Sequence, residues 1–359
     1  MKQDIMAGCD LHDGTMVLRV LGAGGKVLGG VYATGKKGRE QMFKGLKEES
    51  KKAGEAPIYM AYEASGLGFT LYDEAVKEGI KCFVLAPSKI EKSVKQRKNK
   101  TDAKDAEVLL ELMKCHVLAG KKIPSIWIPD AELRDDRELV RERLELGAEA
   151  ARVKTRIRSL LKRYEIKLPE ETGKGWTKKA KSFLKKASEE SGILGPKVRE
   201  VLQSLMRQLE ALEKEIQKLE KGFKELAEKP RYQKPVEKLM ELKGVGLLTA
   251  LVFMTEMGEL ERFKNRRQVG SYVGLVPSVN ESGESGDRKG HITRHGSGRL
   301  RKVLCQAVWS SIRRPGKERD QYEKLVQKNP KKKKIAVVAA MRRLAVRMWH
   351  VGVESRKAA

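Results

Sequence analysis

Between Lys197 and Glu228 runs a proline-free stretch in which Leu202, Leu205, Leu209, Leu212, Ile216, Leu219, Phe223 and Leu226 recur at spacings of three and four. Sustained over about four heptads, that series demands a long helix with one apolar stripe, and the stripe must be covered by another helix or another chain. A second proline-free, charged stretch, Ala131–Tyr164, carries the weaker series Leu139, Leu146, Ala150, Val153, Ile157 and Leu160, interrupted by Arg143. The simplest arrangement is two long antiparallel helices, which sets a coiled-coil or helical-hairpin region over residues 129–230. The leucines also offer a route to a homodimer or homotetramer. Between the two stretches lies the lysine-rich segment Gly173–Lys186, around Trp176 and Phe183. Two readings of it stand side by side: a solvated tip, or a nucleic-acid contact with lysines on phosphates and Trp176 stacked on a base.

The residues before this region have a different period. Ile5–Leu11, Met16–Leu21 and Val27–Tyr32 are short apolar runs separated by His-Asp-Gly and Gly-Ala-Gly-Gly, which predicts a three-stranded antiparallel meander. A helix around Arg39–Ala53, a strand at Ile58–Tyr62, a helix at Phe69–Lys77, a strand at Lys81–Leu85 and a helix from Thr101 to about Met113 come next. That is the element order of a ribonuclease-H-like α/β domain, expected over residues 1–128. After Pro230 and Pro235 the chain reads as a third, mostly helical part, residues 231–359, with a loop region from Val269 to Arg299.

Charge narrows the partners. Lys and Arg total 76 against 48 Asp and Glu, a formal charge of +28. Such an excess repels itself unless a polyanion shares the surface, and release of counterions from phosphates makes nucleic acid the natural partner. The four cysteines show no C-x-x-C spacing, so neither a zinc site nor a disulfide framework is expected. No signal peptide, lipid anchor or transmembrane run is visible, and a cytoplasmic protein without a membrane partner is expected. The four-lysine run Lys331–Lys334 reads equally as a solvated helix start or a DNA contact.

Four carboxylates carry the chemistry. Asp10 ends the first strand, Glu63 ends the fourth, and Asp102 and Asp105 sit three apart at a helix start, on one face. Taken singly, Asp102 could cap its helix and Asp10 could end a turn. Together, on neighbouring strand ends faced by a helix, they suit hard divalent cations such as Mg2+, and two such ions about 4 Å apart activate an attacking oxygen and stabilise a leaving one. Further on, Lys243, Gly244 and Gly246 in LKGVGLLTA are either a helix-hairpin-helix contact to a DNA phosphate or a plain helix-helix turn. The stretch after Val276-Pro277 offers Ser278, Ser282 and Ser285 among glycines and the cations Arg288, Lys289 and Arg294. A serine there needs a base, a metal or a stabilised transition state to become nucleophilic. His291 and His295, four apart, could share a helix face, and without a third ligand nearby they read as surface or phosphate-contacting histidines.

These pieces resemble the DEDD transposases of bacterial and archaeal insertion sequences, relatives of the pilin-gene invertases whose members include bridge-RNA-guided serine recombinases. The resemblance runs over nearly the whole chain: Asp10, the YEASG around Glu63, the DAKDA pair Asp102 and Asp105, GVGLLTA, RFKNRRQVGSYVGLVP and HITRHGSGRLRKVL. It implies a RuvC-like domain, a coiled-coil region and a C-terminal transposase domain. In that reading the four acids bind Mg2+ and Ser282, in the serine-glycine step after the Val-Pro, attacks DNA, with Ser285-Gly286 as the competing step. It implies donor and target DNA, a structured guide RNA, and a serine of one subunit completing the carboxylate site of another. The alternatives are an RNA-independent DNA invertase, a RuvC-like metal-dependent junction nuclease that uses water, and a nucleic-acid-binding protein without activity. The last would lack one of the four acids, and all four are present.

Overall fold

The computed structural model describes residues 3–90, 101–173, 175–189, 194–282, 285–328 and 330–357, with side chains 279–289 outside the description. The chain divides into two units, Met1–Ile128 and Pro129–Ala359.

The first unit is a mixed sheet with helices on both faces. Strands β1 (Ile5–Leu11), β2 (Thr15–Leu21) and β3 (Val27–Ala33) form the antiparallel meander, while β4 (Ile58–Glu63) and β5 (Lys81–Leu85) extend the sheet parallel to β1, in the order β3-β2-β1-β4-β5. Helix α1 (Lys36–Lys52) comes after the meander, α2 (Thr70–Lys77) joins β4 to β5, and α3 (Asp102–Ala119) comes after β5. Ile5 through Asp10 are all buried, as a central strand covered on both faces must be. The two-residue alternation of side chains then sorts the strand. Ile5, Ala7 and Cys9 pack with Met42, Phe43 and Leu46 of α1 and Leu71 and Ala75 of α2. Met6 packs with Leu109, Leu110 and Met113 of α3. Gly8 and Asp10 share the face of Met6 and therefore point toward α3. At Gly8 the helix comes close: a Cβ there would lie 2.2 Å from the Ala106 carbonyl oxygen and 2.3 Å from the Leu110 nitrogen. Only glycine permits this approach.

The second unit is mostly helical. Helices α4 (Ala131–Arg163) and α6 (Pro196–Glu228) form the hairpin, with α5 (Lys178–Glu189) between them in sequence. Their antiparallel register is set by Arg143 to Glu220 at 3.2 Å, Lys154 to Glu213 at 3.0 Å and Arg156 to Gln208 at 3.4 Å. Val153, Ile157 and Leu160 pack with Leu202, Leu205 and Leu209; Leu212 and Ile216 pack at the edge of that core, half-buried, and Leu219 is also half-buried.

The hairpin base and the residues after 230 belong to one unit. Tyr232, fully buried, donates from its hydroxyl to Asp136 at 2.7 Å, and Lys229 reaches the same carboxylate at 2.7 Å. Arg137 is buried and donates to the carbonyls of Thr255 (2.7 Å) and Glu256 (3.2 Å). Those carbonyls close α8 (Leu247–Met257), which comes after α7 (Gln233–Met240) and is almost wholly buried. A buried guanidinium left without these acceptors would be costly, so the contact ties the hairpin to α8.

The expected loop over Val269–Arg299 is ordered otherwise. It holds the end of α9 (Arg266–Val273), capped by the Asn265 side chain and by Gly274 at φ 72°, and a two-stranded ribbon of β6 (Pro277–Ser282) and β7 (Ser285–Ile292). Its two strands are rich in Ser, Gly and charged residues, so no apolar alternation marks them in sequence. His291 lies in β7 and His295 in the turn after it, so the two share no helix face. Helices α10 (Gly298–Ile312), α11 (Lys317–Lys328) and α12 (Lys333–Lys357) complete the unit. Among the described residues no helix is long and apolar enough to cross a membrane.

Candidate metal centre

Asp10 sits on the α3 face of β1, with its side chain only 12% exposed. Helix α3 begins at Asp102, and Thr101, not Asp102, supplies its N-cap, accepting from the Lys104 nitrogen at 3.4 Å. The Asp102 carboxylate is thereby left to face the strand end. Between the two acids stands His12, whose Nε2 lies 3.1 Å from Asp10 Oδ2 and 3.4 Å from Asp102 Oδ1. Among the described residues these three offer ligand atoms within 4.8 Å of one another. The turn holding His12 is pinned on both sides: its nitrogen donates to the Thr15 carbonyl at 2.9 Å and its carbonyl accepts from the Thr34 hydroxyl at 2.7 Å.

The other two acids flank this cluster. Asp105, one turn along α3 and buried, repels charge on Asp10. Glu63 is the last residue of β4, beside β1 through the Cys9–Tyr62 pair, and is half-buried. Burial holds the Asp10 carboxyl above its ordinary range, and the Asp105 and Asp102 charges add to that while His12 opposes it. A carboxylate whose charge is disfavoured first by burial and then by neighbouring acids is what a cation relieves, so the donor set fits a divalent ion. Cys9 is no ligand: it faces the opposite core, and burial with the Asp10 charge pushes its thiol up to about 12. A depression of about 450 Å3 opens beside the cluster, lined by His12, Asp13 and Gly14 of the first turn and Ser65 and Gly66 after β4. Sequence reasoning missed His12, although its place two residues after Asp10 in a turn was a signal.

Two family models match the chain. One, of the DEDD type described as a transposase, covers residues 7–166, and one described as the transposase IS116/IS110/IS902 family covers residues 236–323. The chain belongs to the DEDD transposases of insertion sequences. It is 26% identical to the transposase for insertion sequence element IS1533 of Leptospira borgpetersenii over 86% of either chain. It is 26% identical to the transposase for IS1111A of Coxiella burnetii, over 70% of this chain and 65% of that one. A relative from Sinorhizobium fredii is 28% identical over 70% of this chain, which spans 58% of that relative's length.

In this transposase the remaining sequence candidates lie in the second unit. Ser282 ends β6 and pairs in register with Ser285, which begins β7; their side chains, and those of Arg288 and Lys289, lie outside the described residues. Ser278 donates its hydroxyl to the His291 carbonyl across the ribbon at 3.1 Å, which engages it in the fold. Arg294 is exposed and holds a positive φ of 55°. Gly244 has φ 86°, and a Cβ on it would lie 2.3 Å from the Ala307 carbonyl oxygen, so the glycine serves packing on α10. Lys243 donates to the carbonyls of Arg314 and Pro315. Gly246 is exposed at the start of α8, with no side-chain cap. Trp176 is half-buried against the hairpin core, with Lys154 Nζ 5.8 Å and the Arg158 guanidinium 5.5 Å from its ring centre. The ring is thus occupied by cations of its own chain rather than free at a tip.

Proposed function

We propose that this transposase cleaves and rejoins DNA strands through a serine-linked intermediate, with a RuvC-like first unit in which Asp10, Glu63, Asp102 and Asp105 hold Mg2+. The observation that carries the reading is the convergence of Asp10 and Asp102 ligand atoms at the mouth of a buried strand and an opposed helix. A divalent ion held by these acids would supply stabilisation of charge on the transferred phosphate and on the leaving sugar oxygen. The residues do the rest. Asp10 and Asp102 are fixed by the packing of β1 against α3, and the acids keep the site anionic until cations arrive. The Ser282 hydroxyl loses its proton to a base, its Oγ bonds to phosphorus, and a phosphorus–sugar oxygen bond breaks, the departing oxygen taking a proton. Reversal with a different strand rejoins the DNA.

Donor and target DNA, a structured guide RNA and a homodimer or homotetramer belong to the same proposal. The +28 charge supports the nucleic-acid partners, and the leucine series of α6, of which Leu219 stays half-buried outside the hairpin core, supports self-association. The test is mass spectrometry of a nuclease-trimmed adduct from a suicide DNA substrate. A nucleotide on Ser282, absent from Ser282→Ala, is expected. A nucleotide on Ser285, or strand exchange without any adduct, overturns the assignment, and the second outcome points to the water-using nuclease. A single dominant RNA species kept through a high-salt wash is expected for the guide; heterogeneous RNA points to the RNA-independent invertase.

A further inference from the structure

Helix α12 has two apolar faces. Ala336, Val337, Met341, Ala345 and Met348 are buried against the unit. The other face carries Ile335, Val338, Ala339 and Val346 at helical spacing with Arg342 among them, and Ile335 is 61% exposed. A surface helix ordinarily turns polar residues outward there. These side chains line a groove of about 1210 Å3 whose other wall is Leu275, the start of α9 and the base of the ribbon, including Pro277, His291 and Ile292.

Arg266, Arg267, Arg294, Lys334 and Arg342 rim the same groove, and among the described residues no carboxylate lines it. Arg342 lies over Gly270 of α9, where an added Cβ would sit 2.8 Å from its Nε. Cations on an apolar floor, without acids, fit a partner that is polyanionic and also shows apolar faces. A duplex hides its base faces in the stack, whereas an unpaired strand exposes them to a floor while its phosphates meet the rim. We propose that this groove binds an unpaired DNA strand leading to the ribbon that bears Ser282 and Ser285. The choice of DNA rests on the reading that a ribbon serine attacks DNA.

The test uses the full chain and a fluorescein-labelled mixed-sequence DNA oligonucleotide, its duplex, and RNA of the same sequence, with anisotropy read across a salt series. The exposed cations are changed together, Arg266→Gln, Arg267→Gln and Lys334→Gln, which leaves the buried faces alone. Each lost phosphate contact lowers the log–log salt slope for a single strand by about 0.7, so the triple variant loses about 2 from the slope. Ile335→Asn should weaken single-strand binding several-fold and leave duplex binding unchanged. Photocrosslinking of an iododeoxyuridine strand should label peptides of α9 and α12. An unchanged slope in the triple variant, equal loss for duplex, or a preference for RNA that the variant abolishes would each overturn the proposal. Failure of the serine reading is distinct: groove variants still weaken strand binding, but the unaltered protein leaves no adduct on Ser282.

Discussion

The two regions to which the proposal assigns the chemistry are built in opposite ways. The carboxylate corner of the first unit stands on the most buried strand, β1, pressed against α3 so closely that Gly8 cannot bear a side chain. The serine region of the second unit stands on a two-stranded ribbon beside an open basic groove. Preorganised ligands suit a site that must hold like charges together, since rigid packing keeps the acids near one another before any cation arrives. An open ribbon suits a group that must meet a long polymeric substrate. Close packing is therefore concentrated where charge is confined, and openness where the proposed strand would enter.

The largest effect is expected at the acids. Asp102→Ala should lower strand exchange by about 10^3-fold or more while circular dichroism and DNA binding stay unchanged. Full activity would remove the carboxylate corner from the mechanism. Next come two packing changes in the hairpin. Leu209→Asp puts a charge in the buried seam and should destabilise the second unit by about 4 kcal/mol in urea titration, whereas Leu219→Asp, half-buried, should fold and instead weaken self-association in sedimentation. An unchanged mass for the folded Leu219 variant would leave the stripe without an assembly role.

Glycines sharpen the contrast further. Gly8→Ala drives a Cβ into the backbone of α3 and should cost about 3 kcal/mol, together with metal affinity measured by calorimetry. Gly290→Ala on the ribbon comes up against the Ser278 hydroxyl, whose rotation away gives up its bond to the His291 carbonyl, and should cost about 1 kcal/mol. Similar losses at both positions would erase the distinction between the two regions.

The smallest effect is a gain. With the Asp10 carboxyl held above its ordinary range, ionisation is disfavoured in the folded state. Its contribution is fully present below the unfolded pKa and is lost as pH rises through the folded one. Metal-free Asp10→Asn should then match the unaltered protein at low pH and be the more stable of the two at neutral pH. Added Mg2+ should reverse the order by stabilising only the unaltered protein. No crossover in the melting temperatures would show that the Asp10 charge is not disfavoured by its burial and its acidic neighbours in the folded protein.

Much of this architecture is legible in the chain itself. The apolar runs mark β1 as Ile5–Leu11 and β5 as Lys81–Leu85, and the leucine series marks α6, because period and turn residues are local properties. The acids Asp10 and Asp102 are legible as well, since one lies next to the end of a strand and the other begins a helix, elements whose type the pattern reveals. Helix α1 starts at Lys36 rather than near Arg39, an edge that polar residues leave unmarked.

The order of elements, the long helical pair and the excess of positive charge are properties of the sequence alone, since all three arise from neighbours in the chain. The tertiary structure decided the rest. It set His12 between Asp10 and Asp102, put Trp176 under Lys154 and Arg158, anchored Arg137 on the last carbonyls of α8, and left the second apolar face of α12 lining a basic groove. Each of these joins residues far apart in sequence or depends on what a face finally packs against. No local period encodes such a meeting, because it arises only when the burial of many separate apolar stripes is satisfied at once.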